Sequence, residues 1–175
     1  EVGMTTMGKH DNTPVGTIWI ASTDDGLVGI SLWDDEERFR AEVTHHTGEA
    51  FSDSPDAEKH LASALSEIDA YLRGDLREFT TPIDWSILRP FQKEVLEHVS
   101  VVPYGHTTSY GAIAERIGRP GAVRAVGRAN ATNPIPIIIP CHRILGADGR
   151  LHGYGAKGGL ETKALLLRLE GSWLI

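Results

Sequence analysis

Asn133-Pro134-Ile135-Pro136-Ile137-Ile138-Ile139-Pro140-Cys141-His142-Arg143 organises the reading of this chain. Proline disfavours helix and β-branched isoleucine favours strand, so the Ile run between the prolines is expected to be extended and buried. It carries the only cysteine of the sequence to the end of a rigid segment. A lone cysteine is ordinarily a small buried hydrophobe. Here His142 and Arg143 follow at once, and nearby positive charge favours the thiolate, the nucleophilic form. Adjacent residues of an extended chain face opposite ways, so Cys141 and His142 can meet only through a bend or a bridging water. A third group should orient the imidazole. Glu170 is the candidate: it lies in the last turn of a helix with Leu160, Ala164 and Leu167 apolar and Gly171 as its stop. A carboxylate there opposes the helix dipole, although an exposed one would lose only about a few tenths of a kcal/mol.

Upstream, Phe91, Val95 and Val99 fall on one face of a helix that ends before Pro103. Ser109 can cap a second helix with Tyr110, Ile113, Ala114 and Ile117 on its apolar side, and Gly118-Arg119-Pro120-Gly121 makes a tight connection. A third helix is expected from about Ala122 to Ala131. Helix, short Gly-containing turn, helix is the helix-turn-helix pattern, which ordinary helical cores also produce. Ala122, Ala125, Gly127, Ala129 and Ala131 leave the third helix thin, while Arg124 and Arg128 sit four apart on one face. Such a helix suits a DNA minor groove about 6 Å wide, or close packing on a neighbour through its small residues. Downstream, Gly153-Tyr154-Gly155-Ala156-Lys157-Gly158 formally matches a dinucleotide fingerprint. No second strand follows, and no acidic residue lies about 20 positions on, so a loop over the site is the better reading.

Toward the N-terminus, Thr17–Ser22 and Leu27–Trp33 read as a hairpin around Asp24-Asp25-Gly26. Ser54-Pro55 reads as an N-cap and first helical position. Ala57, Leu61, Leu65, Ile68, Tyr71 and Leu72 keep helical spacing up to Gly74. Residues 1–12 are polar and read as a tail. The expected division is 13–88 for an N-terminal α/β domain and 89–175 for a second, mostly helical one.

The chain has 175 residues, with 41% hydrophobic and 23% charged residues, as globular proteins do. Nothing in it resembles a membrane span or an export signal. One cysteine cannot form an internal disulfide or a Cys-based zinc site, and a reducing, cytoplasmic compartment (nuclear in a eukaryote) is the simplest expectation. The eight His are scattered, so no metal site is expected. The net charge of −7 is unevenly spread, with residues 1–100 at −12 and residues 101–175 at +5. An acidic half joined to a basic half admits a nucleic-acid partner, or chance asymmetry on solvated faces.

Together, Tyr104-Gly105, Thr108-Ser109-Tyr110-Gly111, Arg124-Ala125-Val126-Gly127, Asn133-Pro134-Ile135-Pro136, Pro140-Cys141-His142-Arg143 and Gly159-Leu160 through Glu170-Gly171 resemble the O6-alkylguanine-DNA alkyltransferase family (methylated-DNA–protein-cysteine methyltransferases). The likeness is close over residues 90–175 and looser from Thr13-Pro14-Val15-Gly16 onward. It implies a ribonuclease-H-like N-terminal domain and a helix-turn-helix (winged-helix-like) C-terminal domain. It also implies minor-groove binding of double-stranded DNA, rotation of an O6-alkylguanine out of the stack, and irreversible transfer of its alkyl group to Cys141. O4-alkylthymine is a second candidate lesion. By the resemblance His142 is a water-linked base, Glu170 orients it, Tyr110 is the proton donor beside the flipped nucleotide, and Asn133 is a hinge. Arg124 fills the vacated space in the duplex. Thr108, Ser109, Ala122, Ala125, Gly127, Arg128, Ala129 and Ala131 line the DNA, and Tyr154, Gly155, Gly158 and Gly159 line the pocket. No cofactor is implied. The protein is expected to be a monomer, with cooperative binding along DNA left open.

Departures from the family pattern are Leu88-Arg89-Pro90 before Phe91-Gln92, Leu96 where tryptophan is common, and Arg128 at an often small position. A further two loop residues, placed at Ala156-Lys157, and Gly155 in place of serine bear on the pocket rim. Rival readings are a recognition module without transfer, whose members lack the cysteine this chain keeps, and a Cys-His-Glu hydrolase, for which no oxyanion motif is evident. A DNA-binding sensor would need a further domain.

Overall fold

Residues 5–48, 51, 53–152 and 158–172 are described by the computed structural model, and the chain divides into two units, 1–87 and 88–175. The division falls one residue before the expected boundary.

In the first unit the expected hairpin is present as β2 (Gly16–Thr23) and β3 (Gly26–Leu32). A strand that sequence reasoning assigned to a tail precedes it: β1 (Thr6–Thr13) pairs antiparallel with β2, from Thr6 opposite Ser22 to His10 opposite Ile18. Most of β1 is polar because it is an edge strand partly open to water, so hydropathy carries no signal for it. Successive β2 residues face opposite sides of the sheet. Trp19 and Ala21 pack with Val28, Phe39 and Val43, and the Ser22 hydroxyl on the other face donates to the Ala57 carbonyl at 2.6 Å.

Helix α1 (Glu36–Thr47), which supplies Phe39 and Val43, was not anticipated. Its buried stripe is only those two residues, although Asp35 caps its start and Gly48 ends it in the left-handed region. Helix α2 (Pro55–Leu72) has the expected Ser54 cap and buries Ala57, Ala64, Ile68 and Tyr71. The unit is thus a three-stranded antiparallel sheet with a helix on each face.

The second unit is mainly helical. Helix α3 (Pro90–Ser100) buries Val95, Leu96 and Val99. A two-residue strand, β4 (Thr108–Ser109), leads into α4 (Tyr110–Arg116), whose Ser109 cap accepts from the Ala112 N–H. Gly118, at φ 72°, takes the left-handed conformation that lets the chain turn out of α4. Helix α5 (Val123–Ala131) follows and packs on both α3 and α4. β5 (Ile144–Leu145) pairs parallel with β4, and α6 (Gly159–Leu169) closes the unit.

The segment between α5 and Cys141 is buried as expected but not extended. The Ile139 N–H donates to the Ile135 carbonyl at 3.0 Å, and Ile137 lies at φ 72°. Local preference alone favours an extended run here. Burial of Ile135, Ile137, Ile138 and Ile139 instead holds a compact turn, and a β-branched residue in the left-handed region stores strain.

Candidate active site

The turn delivers Cys141 to a single 3₁₀ turn, Cys141–Arg143, in which the Arg143 N–H donates to the Pro140 carbonyl at 2.9 Å. Because this stretch bends, the opposite-face rule for extended chain does not apply to Cys141 and His142. Cys141 is 4% exposed. Two asparagines fix the backbone around it. The Asn130 amide donates to the Cys141 carbonyl at 3.2 Å. Asn133 donates to the Ile139 carbonyl at 2.9 Å and accepts from the Ile135 N–H at 2.9 Å.

His142 and Arg143 converge on Glu170, the residue that ends α6. His142 Nε2 donates to Glu170 Oε2 at 2.7 Å, Arg143 Nε to Oε1 at 2.8 Å, and Arg143 Nη2 to Oε2 at 3.0 Å. Arg143 Nη1 donates to the Val102 carbonyl at 2.6 Å. All three side chains are buried. A buried carboxylate is tolerated only when a counter-charge and hydrogen-bond donors satisfy it, as the Arg143 guanidinium and the His142 N–H do here. Burial holds the His142 imidazole below its ordinary pKa, against the opposing pull of Glu170. With Nε2 committed to Glu170, Nδ1 is a buried nitrogen without a hydrogen-bond partner among the described residues, and it is the basic atom of the ring.

A second cluster was not anticipated. Lys163, fully buried on α6, donates to the Ile144 carbonyl at 2.6 Å, to the His152 carbonyl at 3.0 Å and to Tyr110 Oη at 3.4 Å. The Tyr110 hydroxyl donates to the same His152 carbonyl at 3.1 Å. Burial pulls the Lys163 ammonium down to about 8, and the neighbouring Cys141 works in the other direction. Burial, then the charge of Cys141, pushes the Tyr110 phenol above its ordinary value. Lys163 and Glu170 are seven residues apart, two helical turns on one face, and that spacing was the available signal. Leu160, assigned by sequence to the apolar face, is instead 47% exposed.

On α5, Arg124, Ala125, Arg128 and Ala131 are exposed, Ala122 and Gly127 are half-buried, and Ala129 is buried at 6%. Ala129 therefore belongs to the packing face and not to the surface expected to line DNA. Thr108 and Ser109 are half-buried at the start of α4. Gly158 precedes α6 at φ 85°, and Gly159 begins it at φ 53°. The expected loop Gly153–Lys157, with Tyr154 and Gly155, lies outside the described residues. Among the described residues no cluster of His, Cys, Asp and Glu is placed to hold a metal, and no helix is long and apolar enough to cross a membrane.

A buried thiol followed in the chain by an imidazole that a carboxylate orients is the set of groups a cysteine-nucleophile site requires. The chain matches two family descriptions. One is 6-O-methylguanine DNA methyltransferase, DNA binding domain, over residues 90–172, and the other is the ribonuclease-like domain of the same family over residues 5–85. It is 42% identical over 161 residues to a methylated-DNA–protein-cysteine methyltransferase of Mycolicibacterium paratuberculosis, covering 91% of this chain and 88% of the relative. It is 38% identical to one of Methanosarcina acetivorans, covering 91% and 95%. Among solved structures it resembles Mycobacterium tuberculosis OGT in complex with DNA, at 40% identity and a TM-score of 0.76, over 95% of this chain and 93% of that one. The chain belongs to the 6-O-methylguanine DNA methyltransferase family, the methylated-DNA–protein-cysteine methyltransferases.

Proposed function

We propose that this protein repairs DNA by direct reversal, moving the alkyl group of O6-alkylguanine onto Cys141 in a single irreversible event. The observation that carries the assignment to Cys141 is the buried Cys141–His142–Glu170 arrangement, in which a carboxylate commits one imidazole nitrogen and leaves the other basic. His142 Nδ1 accepts the thiol proton through a bridging water. The thiolate sulfur attacks the alkyl carbon in line, an S–C bond forms, and the C–O6 bond breaks with its electron pair going to the base. Tyr110 donates a proton as guanine leaves, and Lys163 stabilises the phenolate. The product thioether resists hydrolysis, so each molecule acts once, without a cofactor.

The carbon is inaccessible within a duplex, so the nucleotide must leave the stack. Helices α4 and α5 serve as the helix-turn-helix, with α5 entering the minor groove. The exposed Arg124 and Arg128 and the small residues around them support that reading. Arg124 fills the space left by the flipped base, and Asn133 acts as the hinge between α5 and the thiol. The sheet flanked by two helices supports a ribonuclease-H-like N-terminal domain. The protein acts as a monomer on double-stranded DNA.

The test is intact mass and peptide mapping after incubation with a duplex bearing one O6-methylguanine. One methyl on Cys141, saturating at one per molecule, is the expected result, and Cys141→Ala abolishes transfer while retaining DNA binding. Tight lesion binding without a mass change would instead indicate a recognition module. Neither binding nor transfer would return the hydrolase to consideration.

A further inference from the structure

Between β5 and the pocket loop the chain makes a turn whose chemistry the reaction above does not use. The Gly149 N–H donates to the Gly146 carbonyl at 2.9 Å, and the Gly146 N–H to the Arg150 carbonyl at 3.1 Å. Asp148 closes the turn by accepting from the Arg150 N–H at 3.0 Å. The same carboxylate accepts from His152 Nε2, at 2.9 Å through Oδ1 and 3.2 Å through Oδ2. The imidazole lies so close to Gly146 that a Cβ there would come within 2.1 Å of ring Cδ2. Only glycine admits the ring at this distance.

The main chain of His152 faces the reaction. Its carbonyl is the shared acceptor of the Tyr110 hydroxyl and the Lys163 ammonium. Leu151 and His152 belong to no helix or strand, so no ladder fixes the height of that carbonyl. The side chain of the same residue is tied to Asp148 and lies against Gly146. We propose that Asp148 and His152 form a clamp that positions the Tyr110 hydroxyl and the Lys163 ammonium for alkyl transfer, which rests on the reading of Tyr110 as proton donor. In the resting state the phenol proton points to the His152 carbonyl. When Tyr110 turns that proton to the departing base, Lys163 still satisfies the carbonyl, so no buried acceptor is left unpaired. Asp148 and His152 are positioning residues and touch no substrate.

Both partners of this hydrogen bond are about half exposed, at 55% and 49%. A pair of this kind adds little to stability, so the clamp should be visible in rate and not in melting temperature. The experiment is single-turnover methyl transfer from a saturating O6-methylguanine duplex, with affinity for unmodified duplex and Tm measured alongside. His152→Ala and Asp148→Ala are expected to react about fivefold more slowly with affinity and Tm unchanged. His152→Gln, whose amide still donates to Asp148, should recover to within about twofold of the natural rate. In a Tyr110→Phe background the loss from His152→Ala should shrink. Natural rates in both alanine variants, or a glutamine variant as slow as alanine, would overturn the clamp. A natural protein that accepts no methyl at all would overturn the underlying reading instead, and the two failures are distinct.

Discussion

Each unit of the molecule gathers several donors around one glutamate, and the two glutamates differ in what those donors are. Glu67, on α2, accepts from the Thr80 N–H at 2.7 Å and hydroxyl at 3.0 Å, and from the Thr81 N–H at 2.9 Å and hydroxyl at 2.5 Å. The Ser63 hydroxyl adds a fifth donor at 3.2 Å; all are neutral, and the group is partly wet. Burial pushes its carboxyl up, but the threonine donors together prevail and hold it below the ordinary range. Glu170 is buried, and its donors are a guanidinium and an imidazole. Neutral donors around a half-wet carboxylate tie down a loop. A guanidinium and an imidazole around a dry one fix where a proton resides, and the chemistry then depends on the pair as well as the fold.

The sharpest way to break this contrast is to neutralise each carboxylate in turn. Glu170→Gln leaves Arg143 buried without its counter-charge, and we expect a loss of about 3–5 kcal/mol in urea denaturation. Methyl transfer should fall about 100-fold in the same variant. Replacing the imidazole is next in size. His142→Gln should slow transfer about 30-fold at neutral pH. In the natural protein burial lowers the pKa of His142, so the basic form persists at neutral pH. Activity should decline only as pH falls below the ordinary histidine value of about 6.5, and the glutamine variant should lack this acid limb. Lys163→Met should cost about tenfold. The natural rate should also fall as pH rises through about 8, where the ammonium is lost, and the methionine variant should show no such alkaline limb.

Glu67→Gln should be the mildest change. Its expected cost is about 1 kcal/mol of stability with an unaltered transfer rate. Because the folded carboxyl is the stronger acid, its contribution is complete above the unfolded value and disappears as pH falls through the lowered one. An acid titration of stability should therefore show a decline below about pH 4 that the variant lacks. A slowed transfer rate in Glu67→Gln would remove the distinction between the two glutamates.

The outlines of the site were legible because its chemistry is written locally. Pro140-Cys141-His142-Arg143 places thiol, imidazole and guanidinium in succession, and Glu170 stood out against its helix dipole. The helices of the second unit were legible through caps and spacing, as at Ser109 and over Phe91, Val95 and Val99. What escaped was set by distant contacts. Edge strand β1 looks polar because three of its eight residues are exposed and only Thr6 is buried, and α1 has only Phe39 and Val43 to announce it. The Ile run bends because four buried isoleucines outweigh local preference, and Ile137 absorbs the strain. Lys163 reads as an ordinary surface lysine until the carbonyls of Ile144 and His152 are brought to it across the fold.

Helix α6 carries Lys163 near its middle and is closed by Glu170, so its register places both residues at once. Inserting or deleting one residue between them would rotate one relative to the other by about 100° and take one of them off the face they share. Substitutions on this helix can be sampled one at a time, but changes in its length cannot. Its evolutionary history should therefore be rich in replacements and nearly silent in indels, with any tolerated change of length close to a whole number of turns.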